Sequence, residues 1–199
     1  MMLKRRLLML CQMACIAVLA VCLFRLSQPW RAALTASKTL TELKAQIQAG
    51  NVNSVASDMP TVEIDGYDYI GYLSIPEIDR ELPVMADLTD EKLKISPCRY
   101  YGSIAAENMV LGAHNYPGFF GHLKELSPGA ELVFTGVDGQ VWQFVVAESY
   151  VLPPSAVREM ISGEYPLTLF TCTEDDKDRL TVRFEALPKA DSQEGRDAL

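Results

Sequence analysis

The chain has 199 residues and a mass of 22.1 kDa, with 49% hydrophobic and 22% charged side chains, which suits one globular domain with appendages better than two full domains. Residues 1–31 hold five of the 18 basic side chains and no acid, so the rest of the chain sets 13 basic against 26 acidic side chains, a net −13. That balance excludes nucleic-acid binding through a basic surface.

Lys4, Arg5 and Arg6 precede eighteen residues, Leu7 to Phe24, in which Gln12 is the only strongly polar side chain. As a helix this run spans about 27 Å, close to the hydrocarbon thickness of a bilayer, and it is long for a signal-peptide core. It reads as a transmembrane anchor at residues 7–24 behind a cytoplasmic basic segment at residues 1–6. The alternatives are a cleaved secretory signal and a lipoprotein processed at Leu19-Ala20-Val21-Cys22, where Val21 is bulkier than such sites normally allow. All three export the remainder of the chain. The basic cluster places the N-terminus in the cytoplasm and the domain outside a single-pass cell membrane, against a weaker opposing set of Arg25, Arg31 and Lys38.

Residues 25–60 read as a linker carrying a stalk helix. Leu40, Leu43 and Ile47 recur at helical spacing, Gly50-Asn51 supplies a stop, and the polar NVNSVASDMP ends in proline before the folded domain. From residue 61 to 187 come short β-rich runs separated by turn residues: YIGYLSIP, ELPVM, NMVLGA, ELVFTG, VWQFVVAESYVL, LTLFTCT and RLTVRFEAL. They predict a mostly antiparallel barrel or sandwich. Asp138-Gly139 predicts a hairpin with a tight primed turn. SAVREMI, after Pro153-Pro154, predicts about two helical turns with Ser155 as cap and Val157, Met160 and Ile161 facing inward. Residues 188–199 form a polar tail.

Cys11, Cys15 and Cys22 lie in the apolar run, where thiols are ordinary packing residues, while Cys98 and Cys172 lie outside it and leave a disulfide between them open. Cys172 ends the apolar strand-like run Leu167 to Thr171, at the point where a rigid scaffold hands over to a loop and a thiol is both fixed and accessible. A buried packing cysteine is the bland reading. Arg179 opens the next run seven positions later, so a hairpin over Thr173 to Asp178 returns its guanidinium toward the sulfur, where it stabilises a thiolate or an oxyanion; the alternative is a surface arginine answering Glu174, Asp175, Asp176 or Asp178. Of the two histidines, His114 follows a strand-like run in a setting parallel to that of Cys172 and is the candidate acid and base, with an ordinary surface role left for His122.

Thr168-Leu169-Phe170-Thr171-Cys172, the following Arg179, and His114-Asn115, in the order His, Cys, Arg, resemble the motifs of the sortases, the membrane-anchored cysteine transpeptidases of Gram-positive bacteria. The resemblance runs from about Ile70 to Leu187, with Ala113 standing where a glycine more commonly precedes the histidine. It implies a mainly β fold, a closed eight-stranded sortase-type barrel with short helices. It also implies that Cys172 cleaves an LPXTG-like sorting signal between Thr and Gly through a thioacyl-enzyme and passes the protein to an amine acceptor of the cell wall. His114 then handles the protons, Arg179 steadies substrate and oxyanion, and Thr171 helps position substrate. HNYPGFF with its downstream leucine is similar to class B, and the lack of a second anchor or an evident lid argues against a pilin-polymerising type.

Within that resemblance, Leu152, Val157, Met160 and Ile161 either line an apolar groove for the signal's leucine and proline or form the core of a short helix. The expected partners are surface proteins with a sorting signal and a peptidoglycan precursor or other amine acceptor. No cofactor is expected; the acidic run 174–178 fits a solvated hairpin better than a Ca²⁺ site. A hydrolytic cysteine peptidase and an inactive membrane-tethered binding module remain the alternative functions.

Overall fold

The structure, a computed structural model, describes residues 2–51 and 59–188; residues 52–58, near the end of the predicted linker, and nearly all of the predicted tail lie outside them. One helix, α1 (Met2–Gln48), contains both the expected anchor and the expected stalk. The join is helical because Ala32, Ala33, Leu34 and Ala36 are strong helix formers, and Pro29 inside the helix does not stop it. The first half of α1 is long and apolar enough to cross a membrane, and Ile16, Leu19, Leu23 and Phe24 are exposed there. From Ala32 onward one stripe, Ala32, Ala36, Leu40 and Leu43, is buried against the domain at the three- and four-residue spacing of a single helix face. Gly50, at φ +69°, ends the helix in the left-handed conformation that glycine adopts without penalty.

Nine strands come after it: β1 (Val62–Ile64), β2 (Tyr67–Ile75), β3 (Arg80–Met85), β4 (Cys98–Tyr101), β5 (Met109–Gly112), β6 (Glu131–Gly136), β7 (Val141–Leu152), β8 (Leu167–Cys172) and β9 (Arg179–Ala186). Their order is β1-β2-β3-β4-β5-β8-β9-β7-β6, and β6 also pairs with β2, from Gly71↔Gly136 to Ser74↔Val133. Strands β2 to β9 therefore close the eight-stranded barrel that the sequence motifs implied, and β1 is a short hairpin strand laid on the end of β2. Closure leaves no open edge between β2 and β6. Alternate residues, among them Leu73, Val84, Leu111, Phe134, Leu169, Val182 and Phe184, fill the interior.

Seven strands coincide with apolar runs in the sequence. The other two carry weak signals: β1 has three residues, and β4 pairs with β3 through Met85↔Cys98 alone and is bulged between Arg99 and Tyr101. The β6–β7 hairpin forms, but its connection is four residues long. Gly139 alone takes positive φ, and the Asp138 carboxylate accepts the Gln140 N–H, so a two-residue primed turn is not used. The helix after Pro154, α2 (Val157–Met160), has four residues and starts from Ala156 with no side-chain cap, so Ser155 does not cap it. Met160 faces inward as expected, whereas Val157 is 45% exposed.

Candidate active site

Strands β5 and β8 are parallel neighbours, with Gly112 opposite Phe170, so both reach the same barrel edge. There β5 runs on into Ala113 and His114, while β8 ends at Cys172. Antiparallel β9 starts opposite that end, pairing Arg179 with Cys172 in the last rung. Because side chains alternate across a strand, Thr168, Phe170 and Cys172 share the outer face of β8 with Arg183, Thr181 and Arg179 of β9. Leu167, Leu169 and Thr171 point the other way.

His114, Cys172 and Arg179 line one groove of about 360 Å³. Val157 and Met160 of α2, Phe170, and Leu88 and Leu93 from the β3–β4 connection form its apolar walls. Leu152 is buried behind it in a small cluster with Val110 and Met160, on which Ile161 packs, so the four expected substrate contacts divide into two on the groove and two beneath it. Cys172 also borders a second groove of about 430 Å³, lined by Asn115, His122, Glu125, Thr171 and Glu174 among others. The histidine assigned an ordinary surface role thus stands on a groove that Cys172 shares, its Nδ1 2.7 Å from a Glu125 carboxylate oxygen.

Two hydrogen bonds fix the His114 segment. The buried Thr171 hydroxyl donates to the Ala113 carbonyl at 2.8 Å, and the Asn115 amide donates to the Thr173 carbonyl at 3.2 Å. The His114 ring stacks on Tyr116 with centroids 4.8 Å apart. Burial is the main influence on this ring and holds its pKa below the ordinary histidine value, against a smaller opposing pull from Asp176. Arg179 donates to the Asp178 carbonyl at 3.1 Å, which braces its guanidinium at the rung it shares with Cys172.

Two of the four acids after Cys172, Glu174 and Asp175, are engaged with their own neighbours. Glu174 forms an ion pair with Lys124, and Asp175 accepts the Thr173 hydroxyl at 2.7 Å and pairs with Lys177 at 3.2 Å. These contacts hold both carboxyls below the usual range. Among the described residues, no three His, Cys, Asp or Glu side chains converge as a metal site.

Cys98 and Cys172 are both free thiols. Cys98 is fully buried in β4, and that burial pushes its pKa to about 12. A further side chain, passed over in the sequence, is Arg183 of β9. It stands in RLTVRFEAL as a charge at an alternating position, a pattern that reads as a solvent-facing residue, yet it is only 2% exposed.

A family profile described as "Sortase domain" matches residues 73–186, more than half of the chain. No curated protein matches the chain. Among solved structures, a Clostridium perfringens sortase D5 transpeptidase is similar with a TM-score of 0.62 at 20% identity, covering 77% of this chain and 99% of that one. A sortase C of Streptococcus pneumoniae gives 0.54 at 23% identity, with coverages of 75% and 88%. A Clostridium perfringens sortase C, solved with the C-terminal cell wall sorting motif, gives 0.54 at 22%, with coverages of 76% and 90%. At these identities the structural likeness is one of fold.

Proposed function

The chain belongs to the sortase family of cysteine transpeptidases, and we propose that Cys172 is its nucleophile, His114 its acid and base, and Arg179 its cationic stabiliser. The observation that carries this reading is that the three residues, 58 and 7 positions apart in sequence, line one groove with apolar walls.

In the proposed reaction an LPXTG-like signal lies in the 360 Å³ groove with its leucine and proline against Val157 and Met160. The Cys172 thiolate attacks the threonine carbonyl carbon, and the resulting oxyanion is met by the Arg179 guanidinium. Collapse breaks the Thr–Gly C–N bond, and the glycine amine leaves with a proton from the His114 imidazolium. The thioester keeps the free energy of the cleaved amide, so neutral His114 need only take a proton from an incoming amine as that amine attacks and expels the thiolate. Burial of the His114 ring favours the neutral form that this second step requires and works against the imidazolium of the first. The second groove bordering Cys172 offers a separate approach for the acceptor amine. On the same reading α1 anchors the enzyme with its N-terminus inside the cell and its barrel outside, acting on surface proteins and a peptidoglycan precursor or other amine.

The test uses the full chain in detergent micelles, a library of sorting-signal peptides and a set of amines. The expected result is a ligated product that Cys172→Ala abolishes. Product mass separates transfer from hydrolysis, which leaves a carboxylate in place of an amide. Absence of any Cys172-dependent product across the library would overturn the proposal.

A further inference from the structure

Arg183 is a buried cation that forms no ion pair among the described residues, and its donors converge on the segment that walls the groove. Its Nε donates to the Tyr150 hydroxyl at 2.9 Å, and Nη1 donates to the Thr168 hydroxyl at 2.7 Å and to the Met160 carbonyl at 3.0 Å. Nη2 donates to the Glu159 carbonyl at 2.5 Å. The guanidinium also lies 5.7 Å from the Tyr165 ring centroid. Tyr165 is held in turn by its hydroxyl, which donates to Glu148 at 3.0 Å.

Two of those acceptors are the last carbonyls of α2. A four-residue helix is too short to persist alone, because nucleation costs more than its few bonds return, and its final carbonyls have little local support beyond a 3.4 Å bond from the Ser162 N–H to the Glu159 carbonyl. Arg183 supplies an outside donor from β9, a strand locked between β7 and β8. Val157 and Met160, the α2 side chains on the groove, are therefore set by a side chain that never reaches it. Arg183 pairs with Thr168, four residues along β9 from the rung that Arg179 shares with Cys172, roughly 14 Å at strand rise.

We propose that Arg183 is a positioning residue for substrate selection: it clamps the β7–β8 connection, residues 153–166, so that Val157 and Met160 present a fixed apolar wall to the sorting signal. This rests on the proposed transpeptidase reading for its kinetic consequences and stands apart from it for its structural one.

The test compares wild type with Arg183→Lys, which keeps the charge but loses the planar fork, and with Tyr150→Phe, which removes one partner, all as full chains in micelles. For Arg183→Lys the KM for a sorting peptide should rise about tenfold while kcat and the rate of Cys172 alkylation by iodoacetamide stay within about twofold. Tyr150→Phe should move KM the same way by roughly twofold, which keeps the test open if the lysine variant does not fold. Hydrogen exchange should show faster amide exchange across 156–166 with β8 and β9 unchanged. Unaltered exchange in that segment overturns the clamp whether or not the enzyme turns over any peptide. Faster exchange with KM unchanged and kcat lowered in proportion to lost folded protein overturns the role in selection. If wild type itself gives no Cys172-dependent product, the transpeptidase reading fails, and the exchange data still decide on the clamp.

Discussion

Thr171 and Ala113 are joined by a 2.8 Å hydrogen bond that ties the strand ending in Cys172 to the residue before His114. The threonine is buried on the opposite side of β8 from the Cys172 side chain, so its hydroxyl sets the spacing of two groups on neighbouring parallel strands. Thr171→Val keeps the volume and leaves the Ala113 carbonyl without this donor, a loss of about 1–3 kcal/mol in stability. Denaturant unfolding should show that loss, and kcat should fall by roughly tenfold or more as His114 drifts. Thr171→Ser, which restores the donor, should recover most of both. Equal behaviour of the two variants would show that the hydroxyl is not what matters.

The two thiols of the domain differ in environment. Cys98 is sealed in β4 with its pKa pushed to about 12, so at pH 8 only about one part in ten thousand is thiolate. Cys172 borders two grooves. Iodoacetamide on the folded chain, followed by peptide mapping, should label Cys172 and spare Cys98, with both labelled after denaturation. Labelling of Cys98 in the folded chain would mean that β4 opens.

The acidic loop sits beside the thiol in sequence, and its first acid, Glu174, shares a groove with it. Glu174 is exposed and paired with Lys124, and such a pair contributes little in water. Glu174→Gln should leave the unfolding midpoint and the rate of Cys172 alkylation unchanged within error. A rise in alkylation rate would show that Glu174 acts on the sulfur.

The histidine, cysteine and arginine motifs were legible because their chemistry requires those residue types, and strand pairing then brings them to one barrel edge. The second role of Thr171 and the burial of Arg183 were not. Both depend on which face of a strand another element covers, and in RLTVRFEAL the burial of Arg183 comes from α2, more than twenty residues away in sequence. Likewise β4 was missed because its stability comes from neighbours on both sides and not from its own four residues.

His114 gives the domain a pH dependence of definite sign. Its folded pKa lies below the unfolded value of about 6.5, because burial disfavours the imidazolium. The unfolded chain therefore takes up the proton first as pH falls. The stability tied to the neutral ring is fully present above about pH 6.5 and is lost as pH drops through the folded value. Thermal unfolding between pH 7 and 5 should fall more steeply for wild type than for His114→Gln, whose side chain cannot be protonated. Parallel curves would mean that the ring titrates equally in both states.

The docking of α1 ties the apolar half of that helix to the barrel. Leu43 is fully buried among Val62, Ile64, Tyr69 and Met85, whereas Leu34, nine residues earlier on the same helix, is exposed. Leu43→Ala should cost about 2–5 kcal/mol by leaving a cavity, and hydrogen exchange should quicken in β1 and in α1 beyond Ala32. Leu34→Ala should change neither. The apolar half of α1 and its barrel contact belong to one helix without a break. If Leu43→Ala left domain stability and β1 exchange at wild-type values, the C-terminal half of α1 would be a mere tether whose packing adds nothing to the barrel.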